Sequence, residues 1–120
     1  MELTIAVAAL AALAQENRLE IFRLLVQAGP QGMAAGQVAE KLGLAPNTLT
    51  FHFDRLRFAG LVTVRRDGRS MIYAARFEAM NDLVAFLTEN CCQGARECAP
   101  GAVCKPKGVS HEAVSRARRR

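Results

Sequence analysis

Cysteine is missing from the first ninety residues of this 120-residue chain; all four cysteines lie between positions 91 and 104, in "CCQGARECAPGAVC". A disulfide framework through the body of the chain is therefore excluded. Histidine is almost as scarce, at positions 52 and 111 only. No apolar run reaches the length needed to cross a bilayer: "LTIAVAALAALA", residues 3–14, falls short of about 20 residues. No lysine or arginine precedes that run, only Glu2. It thus lacks the basic leading segment of a secretory signal and reads as a buried, alanine-rich helix. The expected compartment is the cytoplasm. There, clustered cysteines serve as metal ligands or redox groups more often than as structural disulfides.

The charge present is unevenly placed. The net charge is +5. Residues 52–76 carry six arginines against Asp54 and Asp67, and residues 105–120 carry six basic groups against Glu112. The segments around them are mildly acidic. A basic zone confined to one part of a small domain is the electrostatic footprint of a nucleic-acid partner. The terminal "SRARRR" reads first as a solvated tail.

Periodicity gives the order of elements. Residues 3–14 and 16–28 read as helices, the second with Leu19, Phe22, Leu25 and Val26 inward and Arg18, Glu20 and Arg23 outward. Gly29-Pro30-Gln31-Gly32 is a loop. A short helix over 35–42 stops at Gly43. Pro46 opens the next, where Leu49, Phe53 and Leu56 form one apolar stripe. Its other face carries Asn47, Thr48, Thr50, Phe51, His52 and Arg55. After Gly60 the period changes. Leu61–Val64 and Ser70–Tyr73 are β-rich runs around an Asp67-Gly68 turn, the signature of a hairpin. Residues 77–90 return to helix, with Met80, Leu83, Val84 and Leu87 on one stripe. The fold class is mainly α with one β-hairpin: a winged helix-turn-helix of order ααααββα. Residues 1–93 form the folded domain, and 94–120 a cysteine-containing tail rich in glycine, proline and small residues.

"LGLAPNTLTFHFDRLRFAGLV", residues 42–62, and "VRRDGRSMIYAA", residues 64–75, carry a specific resemblance. Residues 16–76 resemble the winged-helix domain of the ArsR/SmtB family of bacterial metal-responsive repressors. The resemblance implies a homodimer, built through the outer helices, that reads an inverted repeat in double-stranded DNA. Leu10, Leu13, Leu83, Val84 and Leu87 are the interface candidates. Asn47, Thr48, Thr50, His52 and Arg55 are the candidates for the major groove. Arg65, Arg66 and Arg69 are those for phosphates around the wing. His52 has a second reading, as a packing hydrogen bond within the helix-turn-helix. Phe51 also faces outward, toward a thymine methyl or beneath the wing.

The family's familiar ion sites are missing. Its arsenic-sensing cysteine cluster would fall on "MAAGQVAE", residues 33–40, which has none. Its zinc and cobalt site uses histidine on the last helix, which here offers only Asp82 and Glu89. What remains is Cys91, Cys92, Cys98 and Cys104. Thiolates without nitrogen or oxygen partners select a soft centre. A trivalent arsenic or antimony ion takes three sulfurs in a pyramid. The Cys-Cys-x5-Cys spacing of 91, 92 and 98 resembles a C-terminal arsenite site of some family members. It implies those three, from a single subunit, as ligands to As(III) or Sb(III); Cys104 is the odd one out, the alternative to Cys98. Organoarsenicals, another soft metal or thiol oxidation are alternative signals. A four-cysteine zinc site would need two Cys-x2-Cys pairs, which are absent.

Adjacent residues on an α-helix point about 100° apart. Asn90 is therefore expected to take the left-handed form and end the helix before Cys91. Cysteines at a helix C-terminus gain nothing from the dipole that activates nucleophilic thiols, so no enzyme is expected. No cofactor is expected for folding, and no membrane partner.

Overall fold

The computed structural model describes residues 1–94. Its contacts divide the chain into two compact units, Met1–Leu83 and one beginning at Val84. The element order is α1 Leu3–Leu13, α2 Glu16–Ala28, β1 Met33–Ala34, α3 Ala35–Leu42, α4 Pro46–Phe58, β2 Val62–Asp67, β3 Ser70–Ala75 and α5 Phe77–Leu87. A short 3₁₀ turn follows over Cys91–Gly94. This is the winged helix-turn-helix the sequence implies, with differences of physical interest.

α1 buries Ala6, Ala9 and Ala12, so its backbone packs close to the core. α2 starts at Gln15, whose side-chain oxygen accepts the Arg18 backbone N–H at 3.0 Å, and ends at Gly29 with φ +86°. Its buried residues are Ile21, Phe22 and Leu25; Leu19, expected inside, is exposed. α3 ends on left-handed Gly43, and α4 opens with Pro46 in its first turn, both as expected.

The first unit's core gathers Ile21 and Leu25 of α2, Val38 of α3, Phe53 and Leu56 of α4, and Leu61 and Val62 at the start of the wing. Each buried aliphatic or aromatic side chain contributes about 1.5–3 kcal/mol. Phe53 stacks on Tyr73 of β3, ring centroids 3.6 Å apart and planes 1° from parallel. The stack joins the helix-turn-helix to the sheet.

The sheet has three antiparallel strands in the order β1-β3-β2, not the two of a simple hairpin. β1 pairs Met33 with Tyr73 and Ala34 with Ile72. Two residues carry no readable period, so the sequence reads past them. Gly32 makes the pairing possible: its φ is +79°, and a Cβ there would run into the Tyr73 carbonyl. The wing turn is also displaced by one residue. Asp67 pairs with Ser70, so the two-residue loop is Gly68-Arg69, with Gly68 at φ +67°. α5 ends at Leu87, three residues short of the expected 90.

Gly32→Ala adds a clash and a left-handed alanine, and so detaches β1. It is expected to lower unfolding free energy by about 1–3 kcal/mol, read as the midpoint of a urea titration. An unchanged midpoint would mean that β1 contributes nothing to stability.

Candidate nucleic-acid interface and cysteine turn

The apolar stripe of α4 decides which of its side chains face solvent. Leu49, Phe53 and Leu56 are buried, which leaves Asn47, Thr48, Thr50, Phe51 and Arg55 exposed. Thr50 donates its hydroxyl to the Pro46 carbonyl at 3.0 Å, which sets its rotamer and leaves the oxygen's lone pairs to accept. Arg55 lies over the Phe51 ring, 5.1 Å from its centroid. Asp54 pairs with Arg57 at 3.3 Å on the same exposed surface.

His52 leaves the outward face of α4 and follows its second reading, as packing within the helix-turn-helix. It is only 6% exposed. Its Nδ1 lies 3.4 Å from Nη1 of Arg18, and the Arg18 Nε donates to the Ala12 carbonyl at 2.6 Å. A guanidinium can only donate, so Nδ1 accepts and the ring proton sits on Nε2. Burial, followed by the positive charge of Arg18, holds the His52 pKa below the ordinary 6.5. Arg18 was expected to point into solvent. It is instead partly buried and ties the end of α1 and the start of α2 to α4. The two residues are 34 positions apart, and no local pattern links them.

The wing arginines differ among themselves. Arg65 donates to the Gln31 carbonyl at 3.0 Å, bracing β2 against the loop before β1. Arg66 reaches the Gly68 carbonyl at 3.4 Å, and Arg69 is exposed in the turn itself. All three remain at the surface, as do Arg55 and Arg57 on α4.

Among the interface candidates, Leu10, Val84 and Leu87 are exposed and Leu13 is half-buried. Leu83 is buried within its own protomer, so it packs inside the subunit and is not presented to a partner. Leu3, Ile5 and Val7 are also exposed on α1 and were not among the candidates. The recurrence of Leu3, Val7 and Leu10 at helical spacing was their signal.

The cysteine pair lies where the helix has ended. Asn90 has φ +58°, as expected, and Cys92 is left-handed as well, at φ +54°. The Cys91 N–H closes a turn onto the Thr88 carbonyl at 2.9 Å. This backbone brings the Cys91 and Cys92 sulfurs to 3.5 Å from one another. A centre bonded to both at about 2.3 Å would hold them roughly 3.3–3.8 Å apart at pyramidal to tetrahedral angles. Cys98 and Cys104 lie outside the described residues. Among the described residues no group of three His, Cys, Asp or Glu side chains comes together, and no helix is long and apolar enough to cross a membrane.

A helix-turn-helix with an exposed polar helix and an arginine-bearing wing defines a winged-helix DNA-binding regulator. A family model described as a helix-turn-helix domain matches residues 13–65. The chain is 38% identical over 65 residues to the uncharacterized HTH-type transcriptional regulator YceK of Bacillus subtilis; the match covers 54% of this chain and 64% of that one, just under two thirds. It is 32% identical to the HTH-type transcriptional regulator YgaV of Escherichia coli, over 72% of this chain and 86% of that protein. Among solved structures, an ArsR-like transcriptional regulator from Rhodococcus superposes with a TM-score of 0.65 at 26% identity, covering 78% of this chain and 86% of that one. A homodimeric winged helix-turn-helix DNA-binding domain from Mycobacterium bovis, a possible ArsR-family regulator, gives 0.59 at 27% identity, with the same coverage. The chain belongs to the ArsR/SmtB family of winged-helix transcriptional regulators.

The His52 environment has a consequence for stability. A histidine whose folded pKa is lowered stabilises the fold fully above about 6.5, and that contribution is lost as pH falls below it. The stability difference between the wild type and His52→Gln should therefore narrow from pH 7.5 to pH 5, measured by urea denaturation. A difference that stays constant over that range would contradict a neutral, buried His52.

Proposed function

We propose that the protein is a homodimeric repressor that binds an inverted-repeat operator and releases it when As(III) or Sb(III) binds Cys91, Cys92 and Cys98. The observation that carries this reading is the convergence of the Cys91 and Cys92 sulfurs at 3.5 Å. Neighbouring cysteines on a continuous helix would diverge; here two left-handed residues accompany the close approach of the two sulfurs, which supports the reading. The separation matches the bite of a soft, three-sulfur ion. Cys98 completes the set by the spacing argument, and Cys104 is the odd one out.

Dimerisation is supported by the exposed apolar side chains of α1, Leu3, Val7 and Leu10, which a second copy would cover. The homodimeric Mycobacterium bovis domain supports the same assembly. A two-fold dimer presents two α4 helices to two half-sites. Asn47, Thr48, Thr50 and Arg55 then face the major groove, and Arg66 and Arg69 reach flanking phosphates. Arg65 does so only if it leaves the Gln31 carbonyl. His52 acts from inside, by holding α4 in place through Arg18. DNA in the cytoplasm is the partner, and the inorganic ion is the signal. An organoarsenical, which needs only two thiols, is the alternative signal that the paired sulfurs also suit.

Effector and operator must weaken each other equally, because the coupling is one free-energy difference between two states. In a fluorescence-anisotropy titration, arsenite is expected to weaken operator binding by about 5–150-fold. Cys98→Ser should bind operator normally and lose the arsenite response. Unchanged operator affinity in saturating arsenite would overturn the effector assignment. An intact response in Cys98→Ser would shift the site to the two-thiol alternative or to Cys104.

A further inference from the structure

α4 exposes an aromatic ring in the middle of the face that looks away from the core. Phe51 is 51% exposed, although it is flanked by the polar positions Asn47, Thr48, Thr50 and Arg55. An unburied phenylalanine on such a face contributes little to the fold. Its ring is nonetheless held from two directions. The Arg55 guanidinium lies 5.1 Å from its centroid on one face, a cation–π contact. The His52 ring meets it edge-on, with centroids 5.5 Å apart and planes at 61°. His52 is itself fixed by burial and by Arg18. The acidic neighbour on the same face, Asp54, is engaged by Arg57, so the surface around the ring is not left repulsive to DNA.

In the major groove only one base-edge group is apolar, the C5-methyl of thymine, and phenylalanine is among the side chains that contact it. Resting on the DNA-binding reading above, we infer that Phe51 is a specificity-determining residue that packs against one thymine methyl in each half-site, with Arg55 as the residue that positions its ring. The hydrogen-bonding neighbours Asn47, Thr48 and Thr50 read polar base edges; Phe51 supplies the apolar test. An adenine–thymine pair at that position is thereby separated from guanine–cytosine without a hydrogen bond.

The test uses the full chain and a preferred operator enriched from a random duplex pool. Each thymine is then replaced singly by deoxyuridine, which removes only the methyl, and affinity is measured by anisotropy. One symmetry-related pair of thymines should stand out, with about a fourfold loss for each methyl removed. Phe51→Ala should weaken binding to the thymine operator and abolish the difference between thymine and deoxyuridine, while the salt dependence stays as in the wild type. Phe51→Leu, which keeps an apolar side chain, should keep part of the difference. Because Phe51 is exposed, both variants should melt with the wild type. Equal affinity of the wild type for every deoxyuridine operator would overturn the inference while leaving DNA binding intact. So would an undiminished thymine preference in Phe51→Ala. Failure of the wild type to enrich any duplex would remove the DNA-binding reading and this inference with it.

Discussion

Phe53 is the fixed point of the first unit. Its ring is fully buried and lies flat on Tyr73, so the helix that carries it can take only one rotation about its axis. Removing a buried ring of this kind costs about 3–5 kcal/mol, enough to outweigh any surface preference along α4. Once Phe53, Leu49 and Leu56 face inward, Asn47, Phe51 and Arg55 have no other direction than solvent. The partner ring sits on β3, the strand that pairs with both β1 and β2. One stacking contact therefore sets the orientation of the helix to the wing, and with it the geometry of the basic surface.

Around that point the polar contacts brace rather than bind. Arg18 spans from the Ala12 carbonyl to His52, and Arg65 from β2 to the Gln31 carbonyl. Arg65 lies in the basic zone that charge alone would assign to nucleic acid. Hydrogen bonds from a charged donor contribute about 1.5–3 kcal/mol, so the two part-buried Arg18 contacts are large on the scale of a small domain's stability and the exposed Arg65 contact is smaller. The arginines at positions 55, 66 and 69 stay exposed at the surface.

Much of this was legible in the sequence. The α4 stripe repeats at helical spacing with proline at one end and glycine just past the other, and the apolar runs around Asp67-Gly68 announced the wing. The failures have physical reasons. In α2, Leu19, Ile21, Phe22, Leu24, Leu25 and Val26 are all apolar, so the wheel alone could not choose between Leu19 and Ile21. β1 is two residues long and depends on a backbone approach at Gly32 that no side-chain period encodes. The wing turn slipped because Asp67 suits a turn as well as it suits a strand end opposite Ser70. His52 carried both a groove and a packing reading, and the sequence could not choose because its partner, Arg18, is distant in sequence. For the cysteines, the left-handed form of Asn90 was readable, although the helix ends earlier, at Leu87; the second left-handed residue, Cys92 itself, was not.

In the proposed function the cysteine turn holds a soft ion through three sulfurs of one chain. The most direct measurement is X-ray absorption at the arsenic edge on the full-length protein loaded with one equivalent of arsenite. The account predicts a first shell of three sulfurs and no oxygen, falling to two sulfurs in Cys98→Ser. A wild-type shell of two sulfurs with oxygen, or one that Cys98→Ser leaves unchanged, would contradict it.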